Sequence, residues 1–115
     1  MISAELPAPI ASYFSSKDPT DAEQTFAQNA TVYDNGEDLE LKGIEAIRQW
    51  LTGRVAAYDL TSQLVSYEQR GDEHVVGVIV SGKFPGSPYK FENRFRLTGE
   101  QILELAIDPI GSLAD

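Results

Sequence analysis

The sequence contains no cysteine, so disulfides, thiolate nucleophiles and zinc–thiolate centres are excluded. Histidine is almost as scarce. His74 is the only one, and it follows the Gly71-Asp72 turn at a strand start, where a solvated position is expected. One imidazole supports neither a His-rich metal site nor a dependable His-centred triad. Positive charge is also short: 9 basic side chains face 18 acidic ones, for a formal charge of -9. Such a field repels nucleic-acid phosphates and anionic membranes, so neither is an expected partner. Lys90, Arg94 and Arg96 form the nearest approach to a basic cluster, and they alternate along one strand. "GSPYKFENRF" sets aromatics beside these cations, but the strict alternation reads as a sheet face. No apolar run approaches the ~20 residues of a membrane span. The opening "MISAELPAPIASYF" has neither a basic n-region nor a long apolar stretch, and a soluble, cytoplasmic protein is expected. G-x-G-x-x-G, Walker, H-E-x-x-H and G-x-S-x-G motifs are all missing, and no cofactor or metal is expected.

What remains is a 115-residue chain, 42% hydrophobic, sized for one domain spanning 1–115. Pro7 and Pro9 precede "IASYFSSKD", where Ile10, Tyr13 and Phe14 share a short helical face. Asp18-Pro19 closes that helix. Thr20 reads as an N-cap with Glu23 completing a capping box, which predicts a helix over 21–28 presenting Ala22, Phe26 and Thr25 inward. Extended pieces over 30–34 and 38–42 flank the turn "NGED". Ile44, Ile47, Trp50, Leu51, Val55 and Tyr58 then recur at helical spacing, predicting a helix over 44–57. Four strands follow: "LTSQLVSYEQR", "EHVVGVIVSGKF", "YKFENRFRL" and "ILELAI", joined by Gly71-Asp72, "PGSP" and "TGEQ" and arranged as an antiparallel meander. "DPIGSLAD" trails off after the last strand. Helices early and strands late argue for α+β, with the helices covering one face of the sheet.

Polar residues at apolar positions are the informative anomalies, because burial of a polar group must be compensated. Tyr13 lies on or beside the apolar face of the first helix; its hydroxyl either meets a backbone carbonyl or lines a cavity. Asn93 interrupts the inward series Phe91, Phe95, Leu97. Asp34 shares a strand face with Val32 and then meets Asn35-Gly36. It is either an Asx-turn residue or an inward carboxylate able to act as a general base. Glu37, Asp38 and Glu40 lack metal-loop spacing and read as a solvated acidic hairpin.

"TFAQNATVYDNG", "LKGIEAIRQWL" and "YKFENRFRLTGEQILELAI" together resemble the NTF2-like superfamily of SnoaL-like and ketosteroid-isomerase-like domains, over nearly the whole chain. The resemblance implies a cone: three N-terminal helices packed in the concave face of a strongly curved mixed sheet, around an apolar pocket. It also implies a homodimer through the sheet face. In the family's ketosteroid isomerases a first-helix tyrosine and a second donor hold the oxyanion, and an aspartate ending the first strand is the base. The matching positions are Tyr13, Asn93 (an amide where those enzymes carry a protonated aspartate) and Asp34. Phe26, Trp50, Tyr58, Val78 and Phe95 are candidate pocket walls, or simple core. The expected function is binding of a small apolar molecule, with proton transfer alpha to a carbonyl by an isomerase, lyase or cyclase. The alternatives are a ligand-binding or structural homodimer without turnover, and a protein-interaction domain.

Overall fold

The computed structural model describes residues 6–16, 18–58 and 61–114, without the side chains of 54–58. Its elements are α1 Ala8–Ser15, α2 Pro19–Glu23, β1 Phe26–Asp34, β2 Leu39–Lys42, α3 Ile44–Tyr58, β3 Thr61–Arg70, β4 Glu73–Ser81, β5 Tyr89–Thr98 and β6 Gln101–Ser112.

Local chemistry moves several predicted boundaries. The cap of α2 is Asp18, whose side chain accepts from the Asp21 amide at 2.9 Å, not Thr20. Pro19 decides this, because its fixed φ and missing N–H suit the first helical position. The helix predicted over 21–28 ends at Glu23. Both the amide and the hydroxyl of Thr25 close back on the Ala22 carbonyl, and Phe26 opens β1. Strand β6 outruns the predicted "ILELAI" and continues to Ser112. Pro109 is tolerated inside it because β1 has ended at Asp34, opposite Ile107, leaving that end of β6 an edge.

The strands form one mixed sheet in the order β2-β1-β6-β5-β4-β3. β3 to β6 are the expected antiparallel meander, and β1 inserts in parallel beside β6. The expected cone is corrected here. The sheet is open, with β2 and β3 as separate edges, and it is neither strongly curled nor closed. β2 has only four residues and β3 is largely exposed, so neither edge is drawn across to the other. The helices are not all N-terminal to the strands either, since α3 follows the β1–β2 hairpin.

The core lies where the helices meet one face of this sheet. Ile10 of α1 and Ile47 of α3 pack with Val32, Leu105, Phe95 and Val76, all fully buried. Burial of each such side chain stabilises by roughly 1.5–3 kcal/mol before entropy is counted. Register sets which residues share a row. Val32, Leu105 and Phe95 are one row; Asp34, Ile107, Asn93 and Val76 are the next. On the opposite face, Arg94 bridges Asp108 (Nε to Oδ2, 2.7 Å) and Glu73 (3.3 Å), and Asn35 Nδ2 donates to Asp108 Oδ1 at 2.6 Å.

The β3–β4 contact depends on a missing side chain. Gly77 pairs with Ser66 beside a bulge, and a Cβ there would overlap Ser66 Oγ and press on Val65 Cγ2 at 3.3 Å. Gly77→Ala is expected to lose about 1–3 kcal/mol in urea unfolding, and adding Ser66→Gly should recover most of it; no recovery would place the cost elsewhere. Acid stability tests the Asp108 pair. Burial opposes Asp108 ionisation, but hydrogen bonds from Arg94 and Asn35, with the guanidinium charge, hold its carboxyl below the usual range. A lowered carboxylate stabilises the fold above its unfolded value, and that contribution disappears as pH falls through the folded value. Wild type should therefore exceed Asp108→Asn in stability at neutral pH, and the gap should shrink below about pH 4.

Candidate active site

Alternation along β1 turns Val32 and Asp34 to the helix-covered face, and Asp34 is only 7% exposed. Backbone hydrogen bonds close the turn that follows. The Glu37 amide donates to the Asp34 carbonyl at 3.1 Å, and the Asn35 amide to Ile107 at 3.0 Å. The Asp34 carboxylate is thus not engaged in an Asx-turn. Instead α3, packed over β1 and β2, brings Trp50 down so that its Nε1–H donates to Asp34 Oδ2 at 3.0 Å. The other oxygen, Oδ1, lies 3.8 Å from the point where a Cβ would stand on Gly36. The same point lies 3.7 Å from Phe91 Cε2 and 4.0 Å from Pro109 Cγ, so glycine and these two side chains bound the space beside Oδ1.

Asn93 is 6% exposed and pairs in register with Ile107, which also pairs with Asp34. One strand separates the two polar residues, placing their backbones roughly 10 Å apart. Tyr13 approaches from α1, its ring edge-on to Phe26 at 5.7 Å and Phe95 at 5.8 Å. Tyr13 and Asn93 line a cavity of about 430 Å³, together with Phe14, Ala22, Leu51 and Val78. Asp34 lines an adjoining cavity of about 500 Å³, with Gly36, Phe84 and Tyr89. Val80, Phe91 and Ile107 belong to both walls. The three polar residues are therefore brought to one face but not into one chamber: Tyr13 and Asn93 share a cavity, and Asp34 opens on its neighbour.

Among the expected wall residues, Val78 lines the first cavity. Phe26 and Phe95 are buried core supporting the Tyr13 ring, and Trp50 acts on Asp34. The Tyr58 side chain lies outside the described residues. The sequence reading missed Phe91, Val80 and Ile107 as the shared wall, and Gly36 beside the carboxylate. Phe91 carried a signal in its inward phase; nothing in the pattern marked Gly36 as more than a turn residue. His74 is half-buried, not solvated, and stacks on Tyr67 with its Nδ1 2.8 Å from the hydroxyl.

A third cavity, about 360 Å³, sits on the opposite sheet face between Tyr33, Arg94, Arg96 and Glu104. Its cations are matched: Arg94 by Asp108 and Glu73, Arg96 by Glu104 at 3.4 Å. Among the described residues no cluster of three or more His, Asp or Glu could hold a metal ion, and no helix is long and apolar enough to cross a membrane. The paired cavities combine an apolar inner wall with buried or half-buried Asp34, Asn93 and Tyr13 and with further polar lining (Ser16, Asp18, Thr61 and Ser62 in the first, Asn35 and Glu37 in the second), and are suited to small-molecule binding.

No family model matches the chain, and no curated protein does. Solved structures do. A candidate polyketide cyclase from Sinorhizobium meliloti is 31% identical, covering 92% of this chain and 98% of that one, with a TM-score of 0.85. A protein with a ketosteroid isomerase-like fold from Catenulispora acidiphila, solved with trimethylamine, is 19% identical over 93% and 87%, with a TM-score of 0.77. An NTF2-like protein of unknown function from Cytophaga hutchinsonii is 10% identical over 89% and 87%, with a TM-score of 0.71. With the first likeness spanning almost all of both chains, this protein belongs to the NTF2-like superfamily, alongside SnoaL-like and ketosteroid-isomerase-like proteins.

Proposed function

We propose that this protein catalyses proton transfer alpha to the carbonyl of a small apolar compound, with no cofactor. The observation that carries the reading is the buried Asp34 carboxylate, held through Oδ2 by Trp50 while Oδ1 lies beside Gly36 at a cavity wall. Asp34 Oδ1 takes the proton from carbon, and the electron pair moves to the carbonyl oxygen. Tyr13 Oη–H and Asn93 Nδ2–H donate to that oxygen as charge develops. Donors preorganised in a dry site are worth several kcal/mol of barrier each, roughly 3–4 for one oxyanion contact. The substrate lies across Ile107, bridging the two cavities, with the Phe91 ring turning aside. From an unsaturated ketone the dienolate takes the proton back from Asp34 at its far carbon, as in an isomerase; alternatively the enolate carbon bonds to a second carbonyl carbon, whose oxygen takes the electron pair and the proton from Asp34, as in a cyclase. The similarity to a candidate polyketide cyclase supports this class of chemistry. A protein-docking role is less well supported: among the exposed large hydrophobic residues, Leu39 and Val65 lie on opposite edges of the sheet, and Ile110 and Leu113 stand near one another only at the end of β6.

The direct test follows alpha-proton exchange of 2-tetralone, a two-ring ketone, in deuterated buffer by NMR. Wild type should accelerate exchange above buffer alone. Asp34→Asn should lose about 10²–10⁴-fold of that acceleration and still bind the ketone by calorimetry. Equal exchange in the variant would remove Asp34 as base, and binding without acceleration by wild type would favour a domain that binds without turnover. Trp50 can be tested through stability. A hydrogen bond to a buried charged group is worth about 1.5–3 kcal/mol. Trp50→Phe should cost at least that in urea unfolding, and distinctly less in an Asp34→Leu background, where no acceptor remains. Identical losses in both backgrounds would mean that the indole matters only as packing.

A further inference from the structure

The cavity of about 500 Å³ has a wall chemistry that carbonyl binding leaves unused. Phe84, Tyr89 and Phe91 line it with three aromatic rings, and Pro109 adds apolar surface. The Tyr89 and Phe91 ring centroids stand 5.0 Å apart, with their planes tilted by 37°. Among the described residues the charged lining is acidic only: buried Asp34 and exposed Glu37. Lys90 alternates to the opposite sheet face with Ile79, its partner on β4. Asp34 is only 7% exposed, and among the described residues it joins no ion pair. Its carboxylate takes one hydrogen bond, from Trp50 Nε1 to Oδ2. Oδ1 flanks the same spot beside Gly36 as Phe91 Cε2, at 3.8 and 3.7 Å. A buried carboxylate is costly until a positive charge is brought to it.

The walls select the kind of cation. A hard metal ion needs several oxygen ligands, and these walls are mostly carbon. A primary ammonium has three N–H donors, each needing an acceptor. A methylated ammonium has one such donor or none, and aromatic ring faces attract its charge. We propose that this cavity binds a small methylated ammonium compound, its head among Phe84, Tyr89 and Phe91 and Asp34 its counter-ion. The formal charge of -9 favours the approach of any cation. The proposal rests on the second cavity of the proposed function and on the inward carboxylate, not on Asp34 acting as a base. An ammonium seated there fills the space beside Oδ1, so it also blocks proton abstraction.

Trp50 is the only tryptophan, and its N–H donates to the proposed counter-ion, so its indole NMR resonance reports on the site. The test compares choline with 3,3-dimethylbutan-1-ol, in which carbon replaces the charged nitrogen at the same shape. Calorimetry of wild type should show choline binding about tenfold or more tightly, and choline should shift the Trp50 resonance. Asp34→Asn keeps the size, removes the charge and should bring the two affinities within about threefold of each other. Tyr89→Leu, at a half-buried position, should weaken choline about three- to tenfold and spare the alcohol. Phosphatidylcholine vesicles set the same head group beside a phosphate, which Asp34 and Glu37 repel, and should not bind. Equal binding of choline and the alcohol by wild type overturns the proposal, as does choline binding that leaves the Trp50 resonance unmoved. So does a preference that persists in Asp34→Asn, an unchanged Tyr89→Leu, or capture by the vesicles. Exchange of 2-tetralone is read separately: its survival beside any of these outcomes overturns the cation site alone, and its absence with choline bound as expected overturns the carbonyl chemistry alone.

Discussion

The parallel pairing of β1 with β6 is the constraint on which the rest of the molecule depends. Without it the chain would be a helical hairpin segment followed by a separate four-stranded meander, each with an uncovered apolar face. The pairing is highly non-local, joining residues some seventy positions apart, such as Asp34 and Ile107. It places β1, and α3 packed above it, over the same sheet face that β5 and β6 supply with Phe95 and Leu105. The same pairing sets the site. Ile107 is the shared neighbour of Asp34 and Asn93, so a one-residue slip of β1 against β6 would turn Asp34 to the opposite face.

That row carries two polar residues into a region otherwise built from Val32, Phe95 and Leu105, and the two are handled differently. Asp34 has the Trp50 indole N–H, a donor aimed at an anion, which offsets part of the desolvation of its carboxylate. Among the described residues Asn93 has no matching donor for its carbonyl. A core selected for stability alone would place Leu there. Retention of an amide beside a cavity is the kind of local inconsistency that belongs to function. The opposite face shows how the fold treats polar groups with structural work only: Arg94, Asp108, Glu73 and Asn35 satisfy one another. That network also holds the turn after Asp34, since Asn35 belongs to it.

Much of this was legible in the residue pattern. The period-two alternation of "YKFENRFRL" put Phe91, Asn93 and Phe95 on one face, and the register confirms their common side. The spacing of Ile44, Ile47, Trp50 and Leu51 located α3 within a residue of its end. Illegible points were of two kinds. Competing local signals misplaced the α2 cap and end, because Pro19 and Thr25 outweighed the capping box at Thr20. Long-range geometry was the other kind. The sheet's openness, the division of the polar residues between two cavities, and the bond from Trp50 to Asp34 all depend on which strands become neighbours.

The amino-acid order by itself determined the α+β class, the common facing of Phe91, Asn93 and Phe95, and the exclusion of thiolate chemistry, because composition and side-chain period are properties of a chain segment alone. Only the tertiary structure decided that Asp34 is held by Trp50 instead of its own turn, that Phe91 stands between the two cavities, and that Asn93 Oδ1 is left unmatched. Each of these is a relation between segments far apart in sequence. Hydrogen-bond satisfaction and cavity shape exist only once the packing of all of them is set together.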